Sequence, residues 1–217
     1  MDLAREGALR GDPNFTVYGT DHQTQGRGRF VDRKWITPPS SALTFTVLLR
    51  PPFPEFPLSL RAALAVADWI NFLGVRPQIK WPNDVLIQGE KICGILVEST
   101  AHFALVGIGI NITQAPPATE VRTPATFLAK HTPIHSTPRY LLEQLLPHLK
   151  NVFEEVSPHQ RILEMLYLRG KTVLINVSPS REWQTCLLNG IDPQGHLLVE
   201  LEGQTTTLVN AELRTPT

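Results

Sequence analysis

Short β-branched apolar runs, separated by brief polar breaks, are the feature that most constrains the fold of this chain. One run covers residues 42–49, and three more follow at 85–87, 92–98 and 103–111. Such runs favour strands, and breaks such as QGEK are typical of turns between neighbouring strands. The last three runs therefore predict an antiparallel meander, and separate strands are predicted at 42–49 and 15–19.

Helices are predicted where apolar residues recur every three or four positions. Between Ser59 and Gly74, which falls at a C-terminal cap, one apolar face is formed by Leu60, Ala63, Leu64, Ala67 and Ile70. Thr123 and Thr137 each place a capping hydroxyl before a proline, which predicts helices at 124–130 and 138–157. Good helix formers at 2–9 indicate a further helix.

The pattern changes after Gly170. Short strands are predicted at 172–177, 183–188, 197–201 and 206–209, and turn signals such as Asp192-Pro193-Gln194-Gly195 separate them. The expected fold class is α+β: a mixed, mainly antiparallel sheet with helices packed on it, then a small β-barrel. We expect a domain at 1–168 and the barrel at 170–217.

Charge and cysteine content narrow the function classes. Lys plus Arg and Asp plus Glu number 20 each, so no excess positive charge favours a phosphate backbone as the principal partner. Cys93 and Cys186, the two cysteines, lie in apolar runs and are expected to be free thiols of a reducing, cytoplasmic compartment. No signal peptide or membrane-spanning stretch is recognised.

A long polar segment at 20–39 carries the first candidate site. Its motif Gln23-Thr24-Gln25-Gly26-Arg27-Gly28-Arg29 alternates glycine with arginine, so the backbone can approach a ligand while guanidinium groups bind a carboxylate or phosphate. A solvated basic loop or an RNA-binding Arg/Gly segment stays an equal alternative on these residues alone. Neither a dinucleotide fingerprint nor a phosphate-binding loop motif is present.

Two further motifs concentrate polar groups at strand ends. Lys80-Trp81-Pro82-Asn83-Asp84 could be a simple turn, but Asp84 could also hold a magnesium ion or accept a proton. Lys91 begins an apolar strand, where an ammonium group leaving water favours an anion nearby. In Gly107-Ile108-Gly109-Ile110-Asn111 the glycines permit close approach by a flat ligand, or mark a bulge.

Four blocks of the sequence resemble the biotin protein ligase family in order and spacing. They are QTQGRGR with Trp35, KWPNDV, GEKICGILVE and GIGIN. Two C-terminal segments resemble the family's SH3-like barrel, namely LLNGIDPQGHLLVELEG and Glu212-Leu213-Arg214. The resemblance therefore covers nearly the whole chain. It implies an ATP- and Mg²⁺-dependent biotin–acetyl-CoA-carboxylase ligase. Such an enzyme forms biotinyl-5′-adenylate and then biotinylates one lysine of a biotin carboxyl carrier protein.

The resemblance also implies roles for individual residues. The expected catalytic residues are Lys91, Arg29, Arg27 and Asp84, with Asp84 as the candidate Mg²⁺ ligand. The expected biotin and adenylate contacts are Gln23, Gly26, Arg27, Gly28, Arg29, Lys91 and Gly94. The nucleotide side is expected to comprise Trp35, Lys80, Asn83, Asn111 and Arg214.

The chain departs from the family pattern in places. Phe30-Val31-Asp32 interrupt the glycine and arginine loop, so its closure over the adenylate is expected to differ. Met1 stands where a strand ending in a biotin-contacting Ser-Thr pair is expected to have just ended. The DNA-binding winged helix of the family's repressor branch has no counterpart here, so DNA is not expected as a partner. A membrane is not expected either, because no apolar stretch is long enough to span one. Two alternatives to an active biotin ligase stay open: a truncated or decayed homologue without efficient catalysis, and a lipoate- or octanoyl-transferring enzyme. The protein could also form a homodimer.

Overall fold

A six-stranded antiparallel sheet forms the larger part of the molecule. The computed structural model describes residues 1–29, 35–178 and 182–216. The strands of this sheet are β1 (Thr16–Thr20), β2 (Ala42–Leu49), β3 (Pro77–Lys80), β4 (Asp84–Ile87), β5 (Glu90–Ser99) and β6 (Ala104–Asn111). Their spatial order is β1-β2-β6-β5-β4-β3, so β5 and β6 occupy the middle. The predicted meander is confirmed in β4, β5 and β6.

Helices pack on both faces of this sheet. They are α1 (Asp2–Arg10), α2 (Leu58–Phe72), α3 (Pro138–Glu154) and α4 (His159–Met165). Helix α2 is buried over most of its surface because it lies between the sheet and α3, and apolar residues cover more than one of its faces. Helix α1 packs on the opposite face, where Ala4 and Ala8 contact Leu48 and Leu105.

Two polar contacts hold α3 in place. The Thr137 side chain accepts a hydrogen bond from the Tyr140 backbone N–H, which confirms the predicted N-cap. The guanidinium of Arg61, a buried residue of α2, donates to the backbone oxygens of Val152 (2.6 Å) and Glu155 (2.7 Å). A cation there satisfies carbonyl groups that the end of a helix leaves unpaired.

The helix predicted at 124–130 is wrong. Only Leu128–Lys130 form a short 3₁₀ turn, and Ala125 makes an isolated parallel bridge with Lys91. The Lys91 N–H donates to the Pro124 oxygen (2.7 Å), and the Thr126 N–H donates to the Lys91 oxygen (2.9 Å). These backbone groups pair with a strand distant in sequence, so the local capping signal does not lead to a helix.

Other helix and strand ends also differ from the predictions. The helix predicted at 138–157 ends at Glu154, and α4 follows it without having been predicted. Predicted strand limits differ by one or more residues at most of the other strands, although 42–49 and 197–201 match.

A second, five-stranded sheet contains the C-terminal strands. They are β7 (Thr172–Asn176), β8 (Gln184–Ile191), β9 (Leu197–Leu201), β10 (Gln204–Leu208) and β11 (Glu212–Arg214), in the spatial order β10-β9-β8-β7-β11. This sheet fits an SH3-like domain, and the predicted fold class is confirmed. Its buried residues join the same hydrophobic core as those of the first sheet. The exact domain division at 168–170 stays a prediction.

Candidate functional site

A cavity of about 430 Å³ lies between the large sheet and the C-terminal sheet. Its floor is the sheet face opposite α2, and its walls come from residues 18–20, 22–25 and 27–29, from Trp35 and from the start of α1. Residues 211–214, in and before β11, close one side. A cavity of this size suits a small molecule with a few polar groups.

The floor is built from two rows of residues that face each other across the strands. The first row is Thr44, Gly109, Gly94 and Asp84, and the second row is Tyr18, Thr46, Gly107 and Leu96. Side chains alternate between the two faces of a strand, so these residues point away from the α2 core. Glycines at the centre of both rows keep the floor low and flat.

The Trp35 indole covers the glycines of the first row. A Cβ atom added to Gly109 would lie 2.5 Å from Cε2 of this ring, and one added to Gly94 would lie 3.0 Å from Cζ3. The Lys91 ammonium is 5.8 Å from the ring centroid, within the range of a cation–π interaction. Glycine is therefore required at these positions for the ring to lie on the sheet.

Lys91 and Asp84 form an ion pair at the edge of the first row. The Lys91 Nζ and Asp84 Oδ1 atoms are 2.6 Å apart, and both side chains are largely buried. The register brings Asp84 directly opposite Gly94, and the Lys91 side chain extends to the same glycine. Asp84 thereby orients the ammonium over the cavity floor.

The two loop arginines have different partners. Arg29 donates to the backbone oxygen of Ala211 (3.0 Å), so the loop is attached to the C-terminal sheet at this point. Arg27 contacts both carboxylate oxygens of Asp2, at 2.7 and 2.8 Å, and lies 3.8 Å from Glu98. Both guanidinium groups line the cavity and carry donors suited to a carboxylate or phosphate.

The Lys80–Asp84 loop is fixed by two of its own side chains. Trp81 is buried, and its Nε1 atom donates at 2.9 Å to the oxygen of Gly195, in the turn between β8 and β9. The Asn83 amide donates to the Ile95 oxygen at 2.7 Å. Lys80 and Asp84 face each other across β3 and β4, and both line the cavity.

The predicted site residues that line the cavity are Gln23, Arg27, Gly28, Arg29, Trp35, Lys80, Asn83, Asp84, Lys91, Gly94 and Arg214. The guanidinium carbon of Arg214 lies 4.2 Å from the Trp183 ring centroid. Phe30-Val31-Asp32, which were expected to alter loop closure, fall outside the described residues.

Gly26 and Asn111 do not line the cavity. A Cβ on Gly26 would lie 2.0 Å from the Trp35 oxygen, so this glycine allows the two ends of the loop to meet. Asn111 is buried and donates from Nδ2 to the Thr126 oxygen at 3.0 Å. Its Oδ1 atom has no partner among the described residues.

Sequence reasoning missed Thr44, Thr46 and Arg122, which also line the cavity. The first two were interpreted only as part of an apolar strand. Their signal was present in the sequence, because both threonines stand at alternate positions of β2 and so share one face. For Arg122 the sequence carries no comparable pattern.

The side chains around Thr126 stabilise the strand end that carries Lys91. The Thr126 hydroxyl lies 2.7 Å from His131 Nε2, and Lys130 donates to Glu90 at 2.8 Å. This bond from Lys130 lowers the pKa of Glu90, while burial and the Lys130 charge lower the pKa of His131. The lowered pKa of His131 favours the neutral ring beside the Thr126 hydroxyl.

The donor set fits a magnesium ion that arrives with a nucleotide. Among the described residues no group of three or more His, Cys, Asp or Glu side chains could hold a metal by itself. Mg²⁺ usually needs only one or two carboxylates in addition to substrate phosphates. Asp84 lines the cavity and can supply one, so its role as a ligand stays a prediction.

Both cysteines are buried free thiols, as expected, and burial raises the pKa of each. No described helix is long and apolar enough to cross a membrane.

Comparison with known proteins assigns the family. The model of the Biotin/lipoate A/B protein ligase family matches residues 12–113. A biotin–acetyl-CoA-carboxylase ligase of Mycobacterium tuberculosis is 31% identical over 221 residues, which cover 95% of this chain and 81% of that protein. The chain belongs to the biotin/lipoate A/B protein ligase family. The resemblance found in the sequence motifs is thereby confirmed.

Two more comparisons show how far the similarity to the family extends. The bifunctional ligase/repressor BirA of Bacillus subtilis is 40% identical over 122 residues, which cover 52% of this chain and only 37% of that protein. The chain thus spans little more than a third of this relative. The solved biotin protein ligase of Aquifex aeolicus, in complex with biotin and ATP, superimposes with a TM-score of 0.83 at 25% identity, covering 98% of this chain and 94% of that one.

Proposed function

We propose that this protein is an ATP-dependent biotin–acetyl-CoA-carboxylase ligase. In the first step a biotin carboxylate oxygen attacks the α-phosphorus of ATP, and pyrophosphate leaves as biotinyl-5′-adenylate forms. In the second step a lysine amine of a biotin carboxyl carrier protein attacks the acyl carbon, and AMP leaves. The Mycobacterium relative carries this ligase name, and the Aquifex enzyme was solved with both substrates.

The observation that carries the proposal is the placement of cations around a flat, glycine-lined floor. Joining a carboxylate to a phosphate brings two anions together, and Lys91, Arg29 and Arg27 border the cavity where this can occur. Positioned charges in a partly buried site stabilise developing charge much more than charges in water do.

Each cation receives a distinct role in this proposal. Lys91, which forms an ion pair with Asp84, contacts the biotin carboxylate and the α-phosphate oxygens where the new bond forms. Arg29 binds the phosphate from the side of the C-terminal sheet, and Arg27 exchanges its contact with Asp2 for an anionic substrate oxygen. Asp84 is the candidate residue to hold a Mg²⁺ ion that arrives with ATP, and this ion would neutralise further phosphate charge.

The remaining predicted residues are assigned to the two ligands. Gln23, Gly28 and Gly94 belong to the biotin and adenylate side, and Gly26 shapes the loop that carries them. The nucleotide side comprises Trp35, Lys80, Asn83 and Arg214, whereas Asn111 does not line the cavity and has no contact role in this proposal. Residues 1–168 form the biotin- and ATP-binding catalytic domain in this proposal, and 170–217 form the SH3-like barrel.

The setting of the reaction is also part of the proposal. Buried free thiols at Cys93 and Cys186 favour a reducing compartment, and we assign the protein to the cytoplasm. Its macromolecular partner is the carrier protein rather than DNA. Homodimer formation stays a prediction that the solution mass from light scattering would test.

Biotin-dependent exchange of labelled pyrophosphate into ATP tests the proposed function. The reaction should require biotin, and lipoate or octanoate should not replace it. Exchange with lipoate alone would move the protein to the lipoate-transferring branch of the family. Carrier-protein binding without exchange would indicate a non-catalytic homologue.

A further inference from the structure

Arg214 stands at the outer end of the cavity wall that residues 211–214 form. Ala211, at the inner end of this wall, is 2% exposed, whereas Arg214 is an exposed residue, and both line the cavity. Within the described ranges, no hydrogen bond or ion pair joins the Arg214 guanidinium to another residue. Its guanidinium carbon lies over the Trp183 ring, 4.2 Å from the centroid. The donors of a cation at the cavity mouth are therefore available to a ligand.

The Trp183 ring comes from a different part of the C-terminal sheet. Trp183 directly precedes β8, and β7 separates β8 from β11, where Arg214 is the last residue. Arg214 lies opposite Leu174 of β7, and Leu174 lies opposite Thr185 of β8. Trp183 is two residues from Thr185 and can therefore share its face of the sheet. The register of three strands thus brings the ring and the guanidinium together across β7.

Contact with the ring leaves the guanidinium able to bind an anion. A cation within about 6 Å of an indole centroid is attracted to the face of the ring. The guanidinium group is planar and its N–H donors point outward in that plane, so a contact through its flat face does not use them. A free arginine side chain samples many rotamers, and binding a ligand must restrict them. A ring that already restricts the side chain lowers this cost.

The position of Arg214 suits the outer phosphates of ATP. Arg29 donates to the Ala211 oxygen, and Arg214 follows Ala211 by three residues, about 10 Å along an extended strand. In the proposed function, Arg29 and Lys91 contact the α-phosphate, where the new bond forms. Arg214 is more exposed than either residue and lies nearer the cavity mouth. The anionic groups within its reach are therefore the phosphates that leave as pyrophosphate.

We propose that Trp183 is a positioning residue, which holds the Arg214 guanidinium at the cavity mouth so that ATP meets it already oriented. The indole does not itself line the cavity. Its effect therefore passes through Arg214 and concerns the binding of ATP, not of biotin. This inference rests on the proposed function, in which Arg214 belongs to the nucleotide side.

Biotin-dependent pyrophosphate exchange at varied ATP concentration tests the inference. Trp183→Ala should raise the KM for ATP about 5-fold, while kcat and the KM for biotin stay within about 2-fold of the wild type. Trp183→Phe keeps an aromatic face and should return the KM for ATP to within about 2-fold of the wild type. The control Phe72→Ala removes a 69% exposed ring outside the cavity and should leave all three constants unchanged.

A double-mutant cycle with Arg214→Ala separates positioning from a general loss of structure. Once the guanidinium is absent, Trp183→Ala should change the KM for ATP by less than about 2-fold. Additive losses, or a wild-type KM for ATP in Trp183→Ala, would overturn the role of Trp183 while leaving the proposed function in place. A higher KM for the carrier protein alone would also overturn it, because the ring would then be a docking contact. Absence of biotin-dependent exchange in the wild type would overturn both.

Discussion

The two faces of the large sheet use the same strands for different purposes. On the α2 face, residues such as Leu43, Val47 and Ile110 are buried in the main hydrophobic core. On the cavity face, their immediate neighbours include Thr44, Thr46 and Gly109, which are polar or lack a side chain. Stability and chemistry therefore alternate along β2 and β6, residue by residue.

This difference shows that the face on which a side chain lies, and not its position along the strand, decides whether it contributes to stability or to binding. A side chain on the α2 face is surrounded by apolar atoms, so its loss leaves a cavity and lowers the free energy of unfolding. A side chain on the cavity face has an open ligand site beside it, so its loss should change binding or rate at nearly constant stability. The experiments below test this separation.

The largest expected effect lies on the α2 face. Ile110→Ala removes a fully buried side chain of β6 and should lower the free energy of unfolding by about 2–5 kcal/mol. Urea unfolding measures this change. The biotin affinity of the folded fraction should stay near the wild-type value. A large loss of affinity in folded protein would contradict the division between stability on the α2 face and binding on the cavity face.

Lys91→Ala should produce the largest effect on the rate. Removing a charged donor positioned at the reacting oxygens should slow adenylate formation about 10²–10³-fold, or roughly 3–4 kcal/mol. Single-turnover measurements with saturating biotin and ATP give this rate. Lys150→Ala, an exposed change on α3, is the control. A wild-type rate in Lys91→Ala would contradict the assignment.

Gly109→Ala tests the cavity face directly beside Ile110. The added Cβ would lie 2.5 Å from the Trp35 ring and should push the indole off the sheet. An overpacking cost of about 1–3 kcal/mol predicts roughly 5- to 150-fold weaker ligand binding, with little change in unfolding.

A double-mutant cycle with Trp35→Ala identifies the cause. If the indole transmits the effect, Gly109→Ala should cost almost nothing further once the ring is gone. Additive losses in the double variant would mean that the new methyl group blocks the ligand itself.

The smallest expected effect concerns His131, which contacts Thr126 next to the strand end that carries Lys91. Burial lowers the pKa of His131 in the folded protein, so the unfolded chain binds more protons as the pH falls below about 6.5. His131 should therefore stabilise the fold less at low pH than at neutral pH.

Unfolding free energies between pH 5 and 8, values chosen to bracket the ordinary histidine pKa of about 6.5, measure this contribution. His131→Asn should flatten the acid side of the profile, and His135→Asn, a change at an exposed residue, should not. Parallel profiles for the wild type and His131→Asn would show that the contact with Thr126 adds no pH dependence.

Much of the fold could be predicted because its signals are local. The β-branched run at 42–49 and the spacing of Leu60, Ala63 and Leu64 each define one element without reference to the rest of the chain. The motif blocks likewise identified many of the residues that line the cavity, because these residues belong to short continuous motifs, although Gly26 and Asn111 do not line it. The helix predicted at 124–130 failed because Lys91, distant in sequence, pairs with that backbone.

The sequence by itself determined most of the segments that become strands and helices, and which residue types supply charge to the site. Tertiary structure alone decided that Thr44, Gly109, Gly94 and Asp84 form one row, because strand register depends on contacts between distant segments. It also decided that the Asn111 amide donates to the Thr126 oxygen. Side-chain direction follows from packing and hydrogen bonds that exist only once the sheets, helices and loops have come together.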